Sequence, residues 1–412
     1  MIYRHLTDPL LAALADTPVV LLHGARQTGK STLARWIADE RHPAAYYTLD
    51  DAAVFAAASH DPDGFLRAIS GSVVIDEIQL APDLLRAIKI EVDRDRTPGR
   101  FLLTGSANVL MVPKLAESLA GRMEILTLWP FSLGELLGVR ERFPDRVFDE
   151  EDLSKLPVLP IGWEDLVQKA VAGGYPEAVR RTDPSRRRAW FASYVTTILH
   201  RDVRLLSDIA GLAELPRLLA MLATQCGGLL NMAALARDIG FSQPTVKKYL
   251  ALLQATHLVH LLPAWAGSRR KRLIKAPRVF LNDTGLLAYL LGIDTRHARG
   301  LGTELGRLLE AFVYQELRKQ IGWSRCAPRL YYYRTATGLE VDFVLEHSDG
   351  RIVGIEVKAT ATLRSRDLRG LQDLADTAGE RFQAGVLLYQ GSSIVPYGNR
   401  IWALPFGALF GG

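Results

Sequence analysis

The stretch from Val19 to Thr32 restricts this chain more than any other. Val19-Val20-Leu21-Leu22-His23 is a short apolar run of the kind expected for a strand buried on both faces. Gly24-Ala25-Arg26-Gln27-Thr28-Gly29-Lys30-Ser31-Thr32 then satisfies G-x-x-x-x-G-K-[ST] at every defined position, and Thr32 to Ala38 continues as a helix. Strand, loop and helix in that order make a phosphate-binding loop. Gly24 and Gly29 permit backbone angles that a Cβ would penalise, so successive N–H groups can turn toward a polyphosphate. Helix onset at Lys30 adds the positive end of a macrodipole. Lys30 is expected to reach the β- and γ-phosphates, and the Ser31 hydroxyl to ligate Mg²⁺. An ordinary glycine turn before a helix explains the spacing far less well.

With 412 residues, the chain can hold two to four domains. A composition 48% hydrophobic and 23% charged excludes large-scale disorder. No apolar run reaches the length of a membrane span, and Asp8 and Asp16 interrupt the N-terminal apolar residues, so neither a membrane anchor nor a signal peptide is expected. Cys226 and Cys326 lie far apart without metal-ligand spacing, which suits a reducing cytoplasm.

Met1 to Ala15 reads as a leading helix, and Tyr46 to Asp50 as a second strand. Ser72-Val73-Val74-Ile75-Asp76-Glu77 is an apolar strand ending in two acids, the Walker B pattern. Asp76 is expected to bind Mg²⁺ through water, and Glu77 to orient or activate the attacking water. Arg100 to Ser106 is a further buried strand, where Thr104 or Ser106, with Asn108 behind them, can sense the γ-phosphate or simply cap a helix. Arg122, on the turn Leu119-Ala120-Gly121-Arg122, is either a surface residue or an arginine finger acting on a neighbouring subunit's nucleotide.

These segments, with Trp129 to Glu135 and Gly173-Gly174-Tyr175-Pro176-Glu177, resemble a large group of prokaryotic AAA+ ATPases that carry a C-terminal domain of unknown function. The resemblance covers nearly the whole chain. It implies an α/β fold with a parallel P-loop sheet and a helical lid, hydrolysis of ATP with Mg²⁺, and ring-like homo-oligomers such as hexamers.

Residues 1–139 are accordingly assigned to the ATPase core, charged and proline-containing 140–162 to a linker, and 163–230 to the helical lid, where Arg201 or Arg204 could meet nucleotide. Residues 231–295 carry a helix, a turn at Gly240 and a second helix capped by Ser242. Val246, Leu250 and Leu253 would point inward; Gln243, Thr245, Lys247 and Lys248 would point outward. Val259–Trp265 and Leu273–Phe280 are expected to be strands around a tip with Arg269, Arg270, Lys271 and Arg272, completing a winged helix. Between Ile239 and Asn282 lie eight basic residues, including Lys275 and Arg278, and no acid, whereas the whole chain carries only +5. That balance favours DNA, held through its phosphates, over a protein-contact module.

Residues 296–412 form an α/β unit in which Asp342 lies on one strand and Glu356 and Lys358 alternate with apolar residues on the next. Glu310, or else Glu316, could add a helix acid. This order resembles the PD-(D/E)xK nuclease fold, which implies a divalent-ion site at the acids with Lys358 beside the nucleophile. The usual Pro before the first acid is Val341 here. The residues also suit an inactive scaffold whose acids pair with Lys358 or a neighbouring Arg. Two functions follow as expectations: a cytoplasmic Mg²⁺-dependent ATPase acting on DNA in remodelling, repair or defence, or a nucleotide-switched regulator that binds a protein partner.

Overall fold

Strands β1 (Val19–Gly24), β2 (Ala45–Thr48), β3 (Val73–Asp76), β4 (Phe101–Ser106) and β5 (Met123–Thr127) form one parallel sheet in the order β2-β3-β4-β1-β5. Strands β1, β3 and β4 are buried along their full length, which is why they read as unbroken apolar runs. Alternate side chains enter opposite cores. Leu21, Ile75 and Leu103 pack with Ile88 and Val92 on one face, while Val20, Leu22, Val74 and Leu102 pack with Leu33, Ile37 and Leu10 on the other. Parallel strands bring their C-terminal ends to one edge, so Gly24, Asp76 and Ser106 meet there.

The computed structural model describes residues 2–106, 119–199, 214–294, 302–398 and 400–411, without the side chains of Arg269 and Lys271. Asn108, Arg201 and Arg204 lie outside the described residues. The chain divides into a first unit of Tyr3–Phe131 with Ala255–His257 and a second of Ser132–Gln254 with Leu258–Gly412.

In the second unit, β6 (Val259–Leu262) and β7 (Arg278–Leu281) pair antiparallel. Strands β8 (Arg329–Arg334), β9 (Glu340–Glu346), β10 (Ile352–Lys358), β11 (Phe382–Tyr389), β12 (Val395–Pro396) and β13 (Ile401–Pro405) form a mixed sheet in the order β12-β13-β11-β10-β9-β8. The helix Arg369–Ala378 covers part of it through Leu371 and Leu374. The helix Gly302–Ile321 ties distant segments together with polar side chains. Gln315 donates to the Leu281 carbonyl (2.6 Å) and Gln320 to that of Leu409 (2.8 Å). The Gln320 side-chain oxygen accepts from Phe143 N–H (3.1 Å), and Glu316 accepts from Leu133 N–H (3.0 Å).

Three expectations change. Residues 140–162 are not a plain linker: Phe143–Asp149 is helical, Phe143, Val147 and Phe148 are core residues, and the buried Glu141 accepts from Gly134 N–H and the Ser132 hydroxyl (both 2.6 Å). The described helices Trp163–Ala172, Pro184–Thr197 and Leu215–Thr224 pack around Thr284–Leu291 in the second unit, so they share its core. The expected second wing strand is only Arg278–Leu281. Before it, Arg269–Ile274 is a short helix that leaves Leu273 88% exposed.

Candidate functional site

The nucleotide loop forms at the end of β1. Gly24 has φ +146°, and a Cβ there would lie 2.3 Å from the Leu128 carbonyl oxygen, so only glycine fits between the two backbones. Gly29 takes φ +95° as the helix Lys30–Glu40 begins, and Gln27 adopts φ 60°, a conformation costly for a residue with a Cβ. Lys30 is buried and donates to the Gly24 (3.1 Å) and Ala25 (2.9 Å) carbonyls, while the Thr28 hydroxyl donates to Ala25 O (3.0 Å). Ala25 is buried, Arg26 half-buried, and Gln27 and Thr32 exposed. Arg4 was not legible as part of this site. Its guanidinium donates to the Thr28 (2.8 Å) and Trp129 (2.6 Å) carbonyls and lies over the Phe131 ring, bracing the loop from below.

Ser31 and Asp76, 45 positions apart in sequence, come together: the Ser31 hydroxyl donates to Asp76 Oδ1 at 2.9 Å. A loop hydroxyl beside a buried carboxylate is the oxygen donor set that Mg²⁺ accepts, and these residues fit that ion. Beside them, burial and the Asp76 charge push the Tyr46 phenol up to about 12. Thr104 is fully buried; its hydroxyl donates to the same Asp76 oxygen and accepts from Glu77 N–H (3.1 Å). That arrangement makes Thr104 a brace of the acidic pair, whereas Ser106 stands at the strand end.

Glu77 has φ 59° and ψ 43°, a strained left-handed conformation that turns its side chain away from the strand direction. Gln79 holds it there, its amide donating both to the Glu77 carboxylate and to the Ser106 hydroxyl (3.0 Å from Ser106). Gln79 was also missed in the sequence, because an amide two residues past the acids has no spacing rule. Arg122 sits just before β5, at the N-terminal end of the strands, opposite the phosphate loop. It pairs with Asp93 at 2.6 Å in its own chain and depresses that carboxyl.

In the second unit, Met232–Ile239 and Gln243–Ala255 flank Gly240, which has φ +82°. Val246, Leu250 and Leu253 are buried, Gln243, Lys247 and Lys248 exposed, and Thr245 half-buried with its hydroxyl on Ser242. Arg270 is exposed. Arg272 departs from the expected DNA set: it forms a bidentate pair with Glu346 (2.6 and 2.7 Å) between the Trp265 and Tyr331 rings. Lys275 donates to the Arg334 carbonyl (2.6 Å), and Arg278 is buried. The acids absent from Ile239–Asn282 are supplied by β9 and by the helix Gly302–Ile321.

Glu310, Asp342, Glu356 and Lys358 do converge. Asp342 accepts from Val357 N–H (2.9 Å), and Lys358 Nζ lies 2.7 Å from Glu356 Oε1. Burial, reinforced by the Asp342 charge, raises the Glu356 carboxyl to about 8 and lifts Glu310 well above the ordinary range. Glu316 lies elsewhere, paired with Lys319 (2.7 Å). Arg278 reaches into this cluster, 2.8 Å from Glu310, 3.2 Å from Asp342 and 2.9 Å from Glu340. A guanidinium thus already holds one oxygen each of Glu310 and Asp342, while Glu356 is paired with Lys358 instead.

A parallel P-loop sheet with a hydroxyl–carboxylate pair beneath the loop defines an AAA-type ATPase domain, and the AAA domain family model matches residues 16–137. Two domains of unknown function follow: DUF8612 matches 163–297 and DUF4143 matches 305–409. The chain is 34% identical over 398 residues to the uncharacterized proteins Mb2031c of Mycobacterium bovis and Rv2008c of Mycobacterium tuberculosis, covering 96% of this chain and 82% of each relative. It belongs to the family they represent, AAA-domain proteins with a C-terminal domain of unknown function. Among the described residues no helix is long and apolar enough to cross a membrane.

Proposed function

We propose that this protein hydrolyses ATP with Mg²⁺ and couples the nucleotide to DNA held by the helix–turn–helix of its second unit. The observation that carries the first half is the Ser31–Asp76 contact under a complete phosphate loop. Lys30 exchanges loop carbonyls for β- and γ-phosphate oxygens, Ser31 and Asp76 hold Mg²⁺, Glu77 positions water, and Ser106 stands near the γ-phosphate. Mg²⁺ held by Ser31 and Asp76 would supply positive charge to the phosphate oxygens. Arg122 is too far round the sheet to serve its own loop, so as a finger it acts on a neighbouring subunit in a ring, after leaving Asp93.

The DNA half rests on the exposed face of Gln243, Lys247 and Lys248 with Arg270, whose three cations can neutralise phosphates without reading bases. A regulator that binds a protein partner is the other reading, favoured by the internal pairing of Arg272, Lys275 and Arg278. Cleavage of DNA is not part of the proposal.

ATP turnover by wild type, Lys30→Ala and Glu77→Gln, with and without duplex and forked DNA, tests both halves. Lys30→Ala should lose ATP binding. Glu77→Gln should keep it and lose turnover by at least about a hundredfold, the usual scale for a positioned acid–base group. Equal, near-wild-type turnover in both variants overturns the site, whereas wild-type turnover indifferent to every DNA transfers the second half to the protein-partner reading.

A further inference from the structure

Within the second unit, β7 begins with an arginine whose backbone cannot easily move. Arg278 pairs with Leu262 across the ribbon and bridges to Leu229 on its other side. Its side chain, 4% exposed, lies over the Tyr332 ring, and its nitrogens reach Glu310, Asp342 and Glu340. A second observation points into the same place. Glu356 is 93% buried, since its exposure is 7%, and its Oε2 has no hydrogen-bond partner, while Oε1 takes Lys358. Buried carboxylates gathered in this way repel one another and need a cation.

We propose that Arg278 is the resident cation of this cluster, a fixed guanidinium standing where a divalent ion would otherwise bridge Glu310 and Asp342 beside Glu356. A hard ion would bind those oxygens at about 2.1–2.5 Å. A single guanidinium nitrogen, Nη1, lies 2.8 Å from Glu310 Oε1 and 3.2 Å from Asp342 Oδ1 and so occupies the place between them, where a second positive charge would be repelled. The fork lets two nitrogens of one rigid, planar group reach Glu310, Asp342 and Glu340 together. The arginine thereby ties the strand following the helix–turn–helix to the C-terminal sheet and to the helix Gly302–Ile321. Wild-type protein holds no metal at this place. Every group in this cluster lies outside the nucleotide site.

The test is Mn²⁺ titration of the full-length, nucleotide-free chain, with bound ion read by electron paramagnetic resonance and folding checked by circular dichroism. Wild type and Asp342→Asn should take up Mn²⁺ alike. Arg278→Met, which keeps the side chain's bulk without its charge, should gain one site at least tenfold tighter than any in wild type. That site should vanish in Arg278→Met/Asp342→Asn. Arg278→Gln replaces the Met variant if the latter does not fold. Mn²⁺ bound by wild type and lost in Asp342→Asn overturns the proposal, as does a folded Arg278 variant that gains no site.

Discussion

Gln79 bears on catalysis without belonging to any recognised spacing. One amide holds both the Glu77 carboxylate and the Ser106 hydroxyl, so the water-orienting acid and the γ-phosphate side of the site are coupled through it. Removing the amide frees a carboxylate already in a strained backbone conformation. Gln79→Ala should therefore leave ATP affinity within about twofold and lower kcat roughly ten- to hundredfold, the scale on which misplacement of a catalytic group acts. Steady-state turnover set beside equilibrium nucleotide binding separates the two effects, and a change confined to affinity would contradict the positioning role.

At the level of elements, the short helix Arg269–Ile274 and the helix Gln243–Ala255 divide a basic segment into two kinds of charge. Lys247 and Lys248 are exposed on the helix face, whereas Arg272 is spent on a buried pair with Glu346. Lys247→Ala/Lys248→Ala should reduce the slope of log DNA affinity against log salt by up to about 0.9 per lost contact, with little effect on melting. Arg272→Ala should do the reverse. It leaves the largely buried Glu346 without its bidentate partner, with the Trp265 indole N–H still donating to it, at a cost of about 3 kcal/mol in stability, and leaves the salt slope unchanged. Melting curves and salt-dependent binding on the same two variants distinguish the roles.

Across the whole molecule, the helix Gly302–Ile321 gathers segments of the second unit that lie far apart in sequence. Its Glu316 is fully enclosed, and burial outweighs the Lys319 ammonium, so its carboxyl is pushed up to about 7 from an ordinary 4.5. The folded protein therefore keeps a proton that the unfolded chain releases, and stability contributed here falls as pH rises from about 4.5 to 7. Denaturant unfolding across that window should show the decline in wild type and a flatter profile in Glu316→Gln. A wild-type profile that rises with pH there and is unaltered by the substitution would contradict the assignment.

The phosphate loop, the Walker B acids and the parallel sheet that carries them were legible in the chain alone. Each rests on local rules: glycine where φ is positive, apolar runs where a strand is buried on both faces, and a helix that begins at Lys30. Glu356 and Lys358 could be placed on one face by strand alternation in the same way, whereas Asp342 joins them through the register in which β9 pairs with β10. Tertiary structure alone decided which charges remain available. Residues Ile239–Asn282 contain no acid, yet Arg272 and Arg278 are neutralised by Glu346, Glu310, Glu340 and Asp342, which lie 32 to 74 residues away in sequence. Charge counted along a chain ignores such pairing, because Coulomb interaction and desolvation depend on distance and burial in space. Arg4 and Gln79 escaped notice for the same reason: the Thr28 and Trp129 carbonyls and the Ser106 hydroxyl come within their reach only through the fold.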